Sequence, residues 1–285
     1  MRARLDELVA GRLAVGAALP ALSCYEFGTA LAVVAAAEDA GVPVALLVPP
    51  AAARGRDGSR LIAALRTLAD GASVPVSVQL DHATDVGLVL EAVAAGADAV
   101  LADGSKLPLE DNAALVARVR ELTAGSGTVV EAELGDIAGD EDRALSVHAA
   151  GGTDPELVAG FVAASGAQLL AVSVGNVHGR YAGEPRLDWP LVAAVRERCP
   201  VPLALHGASG LPEGDLARAG AAGLGKVNVN TELRAAVLDA TQELLPRARA
   251  AGDDVLTLEA ARRAAAHRFT GSLLRTLTPA PQDAH

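Results

Sequence analysis

Three of the six histidines follow apolar runs that read as buried strands. His82 follows "PVSVQLD", His178 closes "LLAVSVGNVH" and His206 closes "PLALH". His148, His267 and His285 fall instead in a loop, a C-terminal helical stretch and the tail. Three neutral imidazoles around one point, with a coordination position left open, describe a catalytic zinc site. Any one of them alone reads equally well as a hydrogen-bonded residue at a strand end. Asp81, next to His82, adds a carboxylate suited either to capping the following helix or to moving protons. Sequence spacing does not bring these groups together. They need a fold in which the ends of several strands share one face.

The chain of 285 residues supplies a pattern of that kind. Apolar runs at 15–22, 43–48, 75–80, 98–103, 128–134, 169–174, 202–207 and 225–230 read as strands. Helical stretches at 27–40, 58–70, 85–95, 110–122, 155–165, 188–198, 212–220 and 231–247 separate or follow them. Asp85, Asp154 and Asp188 stand where helix N-caps are expected, and "AGVP", "ASVP" and "CPVP" punctuate turns from helix to strand. Near-continuous hydrophobic strands indicate a parallel sheet covered by helices, and eight of them suit a (β/α)8 TIM barrel. An open doubly wound sheet is the competing fold. We expect a single domain over 1–285, a short helix at 3–10, a helical extension at 253–277 and a disordered tail from 278.

Composition narrows the function. Half of the residues are hydrophobic and only 2% are aromatic, so the core must be filled by small branched side chains, as in barrel interiors. A net charge of −11 excludes the basic face that nucleic acids or anionic membranes require. It also means that an anionic substrate must be captured by local donors. Cys24 and Cys199 make no disulfide framework. Residues 13–24 resemble a signal h-region, but Asp6 and Glu7 spoil the basic segment before it, and polar residues interrupt the uncharged run at 157–177. We expect a cytoplasmic protein.

Other strand ends carry further chemistry. The fourth ends in Asp103-Gly104-Ser105, and the fifth carries Glu131 and Glu133. "HGASG" and "NVNT", after the seventh and eighth strands, stand where barrel enzymes bind phosphate: Gly207 and Gly210 admit close backbone approach, Ser209 offers a hydroxyl, and Thr231 opens a helix whose free N–H groups point into the mouth. An ordinary glycine-rich turn with a Thr cap explains the same letters. The acidic loop "ELGDIAGDED" is a candidate lid that delivers Glu141, or simply a solvated run.

Taken in order, "LDHATD", "ADGSKLPLEDN", "VEAELGDIAGDED", "VSVGNVHGRYAG", "LHGASGLPEGDL" and "KVNVNTELR" resemble the signature segments of the class II, metal-dependent ketose-bisphosphate aldolases, nearest to their tagatose- and fructose-bisphosphate branch. The resemblance runs from about residue 75 to 235. It implies His82, His178 and His206 as zinc ligands with Glu133 as an accessory carboxylate near the metal. It implies Asp81 as the acid/base at the aldehyde oxygen, and Glu141 as the lid group that exchanges a carbon-bound proton. Gly179, Gly207, Ala208, Ser209, Asn228, Val229, Asn230 and Thr231 would hold dihydroxyacetone phosphate. A sodium or potassium ion near the phosphate and a homodimer or homotetramer are implied as well.

The chemistry is coherent, because zinc acting as a Lewis acid on an enediolate makes a Schiff-base lysine unnecessary. Lys226, one of only two lysines, keeps a lysine-based aldolase open as an alternative. A metal-dependent hydrolase or isomerase, and a non-catalytic sugar-phosphate binder, are the other readings. The resemblance departs at the first strand, where Leu22 and Ser23 stand in place of a Phe-Asn pair, and after the second, where Pro49 and Pro50 replace a region carrying a sugar-phosphate serine. The resemblance implies reversible cleavage of a ketose phosphate or bisphosphate, like fructose or tagatose 1,6-bisphosphate, to dihydroxyacetone phosphate and an aldehyde. Both departures fall on contacts to the aldehyde half, so a divergent aldehyde partner in a specialised pathway is the alternative.

Overall fold

The structure is a computed structural model and describes residues 3–149 and 151–278. Its strands are β1 (Leu19–Ser23), β2 (Val44–Val48), β3 (Val76–Ala83), β4 (Ala99–Ala102), β5 (Val129–Leu134), β6 (Ser146–Val147), β7 (Leu169–Val172), β8 (Arg180–Tyr181), β9 (Leu203–Leu205) and β10 (Leu224–Val229). Eight of them close a parallel barrel in the order β1-β2-β3-β4-β5-β7-β9-β10, with β10 returning to β1. The fold is a (β/α)8 barrel, and the open sheet is set aside by that closure. The short β6 and β8 pair outside it.

The helices are α1 (Leu5–Leu13), α2 (Phe27–Ala40), α3 (Pro50–Ala53), α4 (Gly55–Gly71), α5 (Val86–Ala95), α6 (Leu109–Thr123), α7 (Pro155–Ser165), α8 (Trp189–Arg198), α9 (Glu213–Arg218), α10 (Thr231–Ala250) and α11 (Val255–Thr276). Asp85, Asp154 and Asp188 each accept a backbone N–H from the first turn of the next helix. Unpaired N–H groups at a helix start favour such an oxygen. The extension at 253–277 is α11, whereas the tail from 279 lies outside the described residues. No helix among those described is long and apolar enough to cross a membrane.

Because side chains alternate across a strand, each barrel strand sends one set outward to the helices and one inward. The outward set, with Val44, Leu46, Val78, Val130 and Leu170, packs on the helical layer. The inward set changes character with height. At the lower end Leu19, Ala45, Leu47, Ala99, Val129 and Leu169 meet Leu5, Leu8 and Val9 of α1, which stoppers the barrel. Above them come Gln79, Glu131 and Lys226, all buried. At the upper rim come Asp81, Glu133 and His206.

Candidate metal centre

Asp81 and His82 are neighbours on one strand and should point to opposite faces. They do not, because the backbone breaks its register there. The β3–β4 pairing shifts between Leu80 and Ala83, and His82 takes φ +44°, in the left-handed region that non-glycine residues rarely adopt. The bulge turns both side chains into the mouth. Such local strain persists only where surrounding structure holds it, and it concentrates at functional sites.

His178 arrives from the loop after β7, and His206 from the end of β9. The three imidazoles converge, with His82 4.8 Å from His178 and 4.9 Å from His206 between ring centroids. One ligating atom from each, with one from Glu133, fall within 4.8 Å of one another. His82 Nε2, His178 Nε2, His206 Nδ1 and Glu133 Oε2 are all buried and all lack a hydrogen-bond partner. Leaving one buried polar atom unpaired costs about 1–3 kcal/mol. Four such atoms facing one point fit a divalent cation, and N/O donors of this kind suit zinc.

The opposite edges of two rings are fully engaged. His82 Nδ1 lies 2.8 Å from Asp103 Oδ2, and His206 Nε2 lies 2.9 Å from Glu131 Oε1. Carboxylates in this position fix the ring tautomer and turn the other nitrogen toward a metal. Burial opposes charge on His206, but its contacts with Glu131 and Glu133 outweigh that and carry the imidazole up to about 9. His178 goes the other way: burial, reinforced by His82 and His206, holds it well below the ordinary histidine range and neutral.

Neither Asp103 nor Glu131 was assigned a role from sequence, although both stood at noted strand ends. Glu131 lies two residues before Glu133, so the two share the inward face, and that parity was the available signal. Glu131 Oε2 also takes Lys226 Nζ and Gln79 Nε2, each at 2.7 Å. Lys226 is therefore a fully buried ammonium held in an ion pair, not a free amine ready for a Schiff base. The lysine-based alternative loses its residue.

Asp81 is 1% exposed, and neither carboxylate oxygen has a partner. Burial raises its carboxyl above the usual range against the opposing pull of His82, Lys226 and His206. Glu141 reaches the cluster from the loop after β5, its Oε2 3.4 Å from His178 Nε2. That loop lies across the mouth. His178 N–H donates to Ala138 O at 2.8 Å, and Gly139, at φ +116°, passes so close that a Cβ would sit 1.9 Å from His178 O. β6 pairs with β8 beyond it. Asn230 Nδ2 donates to Glu141 O at 2.8 Å and to Glu141 Oε1 at 3.1 Å. Tyr25 was missed from sequence: its hydroxyl donates to Asp142 Oδ1 at 3.0 Å and accepts from Asn230 Nδ2 and Arg234 Nη1.

On the β9–β10 side, Gly207 adopts φ +56° with room for no side chain, a Cβ falling 2.0 Å from Val177 O. Ala208 follows it, and Thr231 Oγ1 donates to Gly179 O at 3.3 Å. One expectation needs correction. The N–H groups of Asn230 and Thr231 do not point free into the mouth, because Ser209 Oγ accepts both, at 3.4 and 3.1 Å. Ser209 caps α10 from another loop, since Asn230 makes no side-chain cap there. Both side-chain polar atoms of Asn228, and Asn230 Oδ1, are buried without partners. Val229 is the last residue of β10.

Comparison with known proteins agrees with this geometry. Residues 3–276 match the family model described as fructose-bisphosphate aldolase class-II. The D-tagatose-1,6-bisphosphate aldolase subunit GatY of Klebsiella oxytoca is 41% identical over 228 residues, covering 79% of this chain and 80% of that protein. The YdjI aldolase from Escherichia coli K12 superposes with a TM-score of 0.86 at 28% identity, over 97% of each chain. Fructose-bisphosphate aldolase from Campylobacter jejuni, at 20% identity and TM-score 0.78 over 97% of this chain and 95% of its own, shares the fold. By the extent of the family match, the chain belongs to the class II fructose-bisphosphate aldolases.

Proposed function

We propose that this protein is a zinc-dependent aldehyde-lyase that reversibly joins dihydroxyacetone phosphate and an aldehyde into a ketose phosphate or bisphosphate. The observation that carries the reading is the set of four buried, unpartnered ligand atoms of His82, His178, His206 and Glu133 facing one point. Metal dependence is the property of the family, and zinc is the ion that this donor set favours. When bound, the ion supplies Lewis acidity that stabilises the enediolate charge left as the carbon–carbon bond breaks.

The chain's own groups do the remainder. In cleavage, Asp81 accepts the proton of the hydroxyl that becomes the aldehyde oxygen. Its raised carboxyl, out of solvent and without a partner, suits a proton acceptor. Glu141, steadied by Asn230, returns a proton to the carbon that has been freed. The lid that carries it excludes water, which protects the reactive carbanion equivalent from side reactions. Asp103 and Glu131 orient His82 and His206.

For the ketone half, Gly179, Gly207, Ala208, Ser209 and residues 228–231 form the phosphate cradle. The unpartnered atoms of Asn228 and Asn230 and the close backbone approach at Gly207 support this assignment. A sodium or potassium ion beside that phosphate, a homodimeric or homotetrameric assembly and a cytoplasmic location belong to the same proposal.

The test mixes purified protein, zinc, dihydroxyacetone phosphate and a panel of aldehydes. We expect condensation that falls by on the order of a thousandfold or more when a chelator strips the metal, and that returns with added zinc. Condensation that survives complete removal of metal rejects the proposal.

A further inference from the structure

Lys226 is consumed by Glu131, which leaves Lys106 as the other lysine of the chain. Lys106 stands in the loop between β4 and α6, exposed, on the wall of a cavity of about 480 Å³ that also includes His82, Glu133, His178 and Glu141. Its ammonium has no hydrogen bond and no ion pair among the described residues. In a protein of net charge −11, an unpaired cation at this mouth is conspicuous.

The carboxylates around it are mostly occupied. Asp103 is engaged by His82 and by the hydroxyl of Ser105. Asp140 accepts from the Asp142 N–H and lies 3.8 Å from Arg143 Nε. Glu141 is held by Asn230. Glu133 belongs to the metal cluster, and the remaining carboxylate of that wall, Asp136 on the lid, makes no described hydrogen bond or ion pair. Leu107, Leu115 and Ile137 supply apolar wall between these charges.

Position around the barrel gives the direction. In the closed order, β4 stands four strands from β10, so the two are diametrically opposed. On the functional reading above, on which this inference rests, the ketone half is anchored by phosphate on the β9–β10 side. The strand ends where the resemblance places contacts to the aldehyde half, those of β1 and β2, carry only the uncharged Leu22, Ser23, Pro49 and Pro50 here. The wall opposite the phosphate cradle, after β4, carries Lys106. We propose that Lys106 is the specificity-determining residue for an anionic group, a phosphate or a carboxylate, on the far carbon of the aldehyde half. A lysine acts there as a point charge, and acts locally because the field of the whole molecule repels anions.

The experiment measures condensation of dihydroxyacetone phosphate with three aldehydes of matched length: glyceraldehyde 3-phosphate, tartronate semialdehyde and glyceraldehyde. Wild-type enzyme should prefer one of the two anions to the neutral aldehyde, and whichever leads names the anion. In Lys106→Met the ratio of kcat/KM for that anion over the neutral aldehyde should fall about tenfold, mainly through KM, and Lys106→Arg should restore most of it. Asp136→Asn should move the ratio the other way. Zinc content and circular dichroism of each variant exclude misfolding as the cause.

An unchanged ratio in Lys106→Met, or a wild-type preference for the neutral aldehyde, overturns the assignment while leaving the aldolase intact. Failure of wild-type enzyme to condense any of the three overturns the aldolase reading and this inference together.

Discussion

Two polar regions lie one above the other inside this barrel, and they obey opposite rules. In the lower, Gln79 Nε2, Glu131, Lys226 and His206 Nε2 are closed upon each other at 2.7 to 2.9 Å. In the upper, the carboxylate of Asp81, His82 Nε2, His178 Nε2, His206 Nδ1 and Glu133 Oε2 are buried without partners. One residue, His206, has a nitrogen in each. Apart from Gln79 Oε1, which is buried without a partner, the charged groups of the lower network are satisfied by the fold, whereas the upper groups are held ready and unpaired. The lower network is a rigid seat, and the upper set is what it seats.

Removing a group from the upper set should do the greatest damage to chemistry and the least to the fold. Asp81→Ala should keep its metal and its melting temperature within a few degrees, yet lose about 10²–10⁴ in cleavage rate, the usual worth of a general acid/base. Steady-state kinetics beside zinc analysis checks this, and normal turnover would break the contrast.

Removing one from the lower network should do the reverse. Glu131→Gln leaves Lys226 buried without its counter-charge, at about 3–5 kcal/mol. It also frees the ring of His206, and metal affinity should drop about 10–100-fold. Thermal unfolding and competition with a chelator read the two effects, and stability equal to wild type would show that the seat is not structural.

The lid junction lies between these extremes. Tyr25→Phe removes three contacts to Asp142, Asn230 and Arg234 at the rim, all outside the metal cluster. We expect kcat lowered about fivefold, the worth of roughly 1 kcal/mol of hydrogen bonding, with metal content unchanged. Exchange of the carbon-bound proton of dihydroxyacetone phosphate with solvent should slow in parallel, because Glu141 is the group displaced.

Much of this arrangement was legible before any coordinates. Strands such as Val44–Val48 and Leu169–Val172 are continuous apolar runs, so their place in a buried parallel barrel follows from composition. The three histidines were findable because barrel strand ends share a face. The apolar pattern starts the first strand at residue 15, because "VGAAL" looks like strand, whereas β1 begins at Leu19. Val15 is in fact 64% exposed, in the turn after α1.

What stayed hidden depends on contacts between distant residues. Lys226 and Glu131 are 95 positions apart, and nothing local marks them as partners. The inward turn of both Asp81 and His82 depends on a bulge set by the neighbouring strand, a backbone event with no residue signature. β6 and β8, two residues each, are too short to carry a period, and the Ser209 cap on α10 joins two loops that only the closed barrel brings together.

The apolar stopper formed by α1 has one more consequence. A cylinder sealed below has a single doorway, so solvent, ion, sugar and products must all pass through it in turn. An occupant resting in that doorway bars the exit of whatever lies deeper, and a protein saturated with its sugar phosphate should surrender its metal far more slowly than one standing empty.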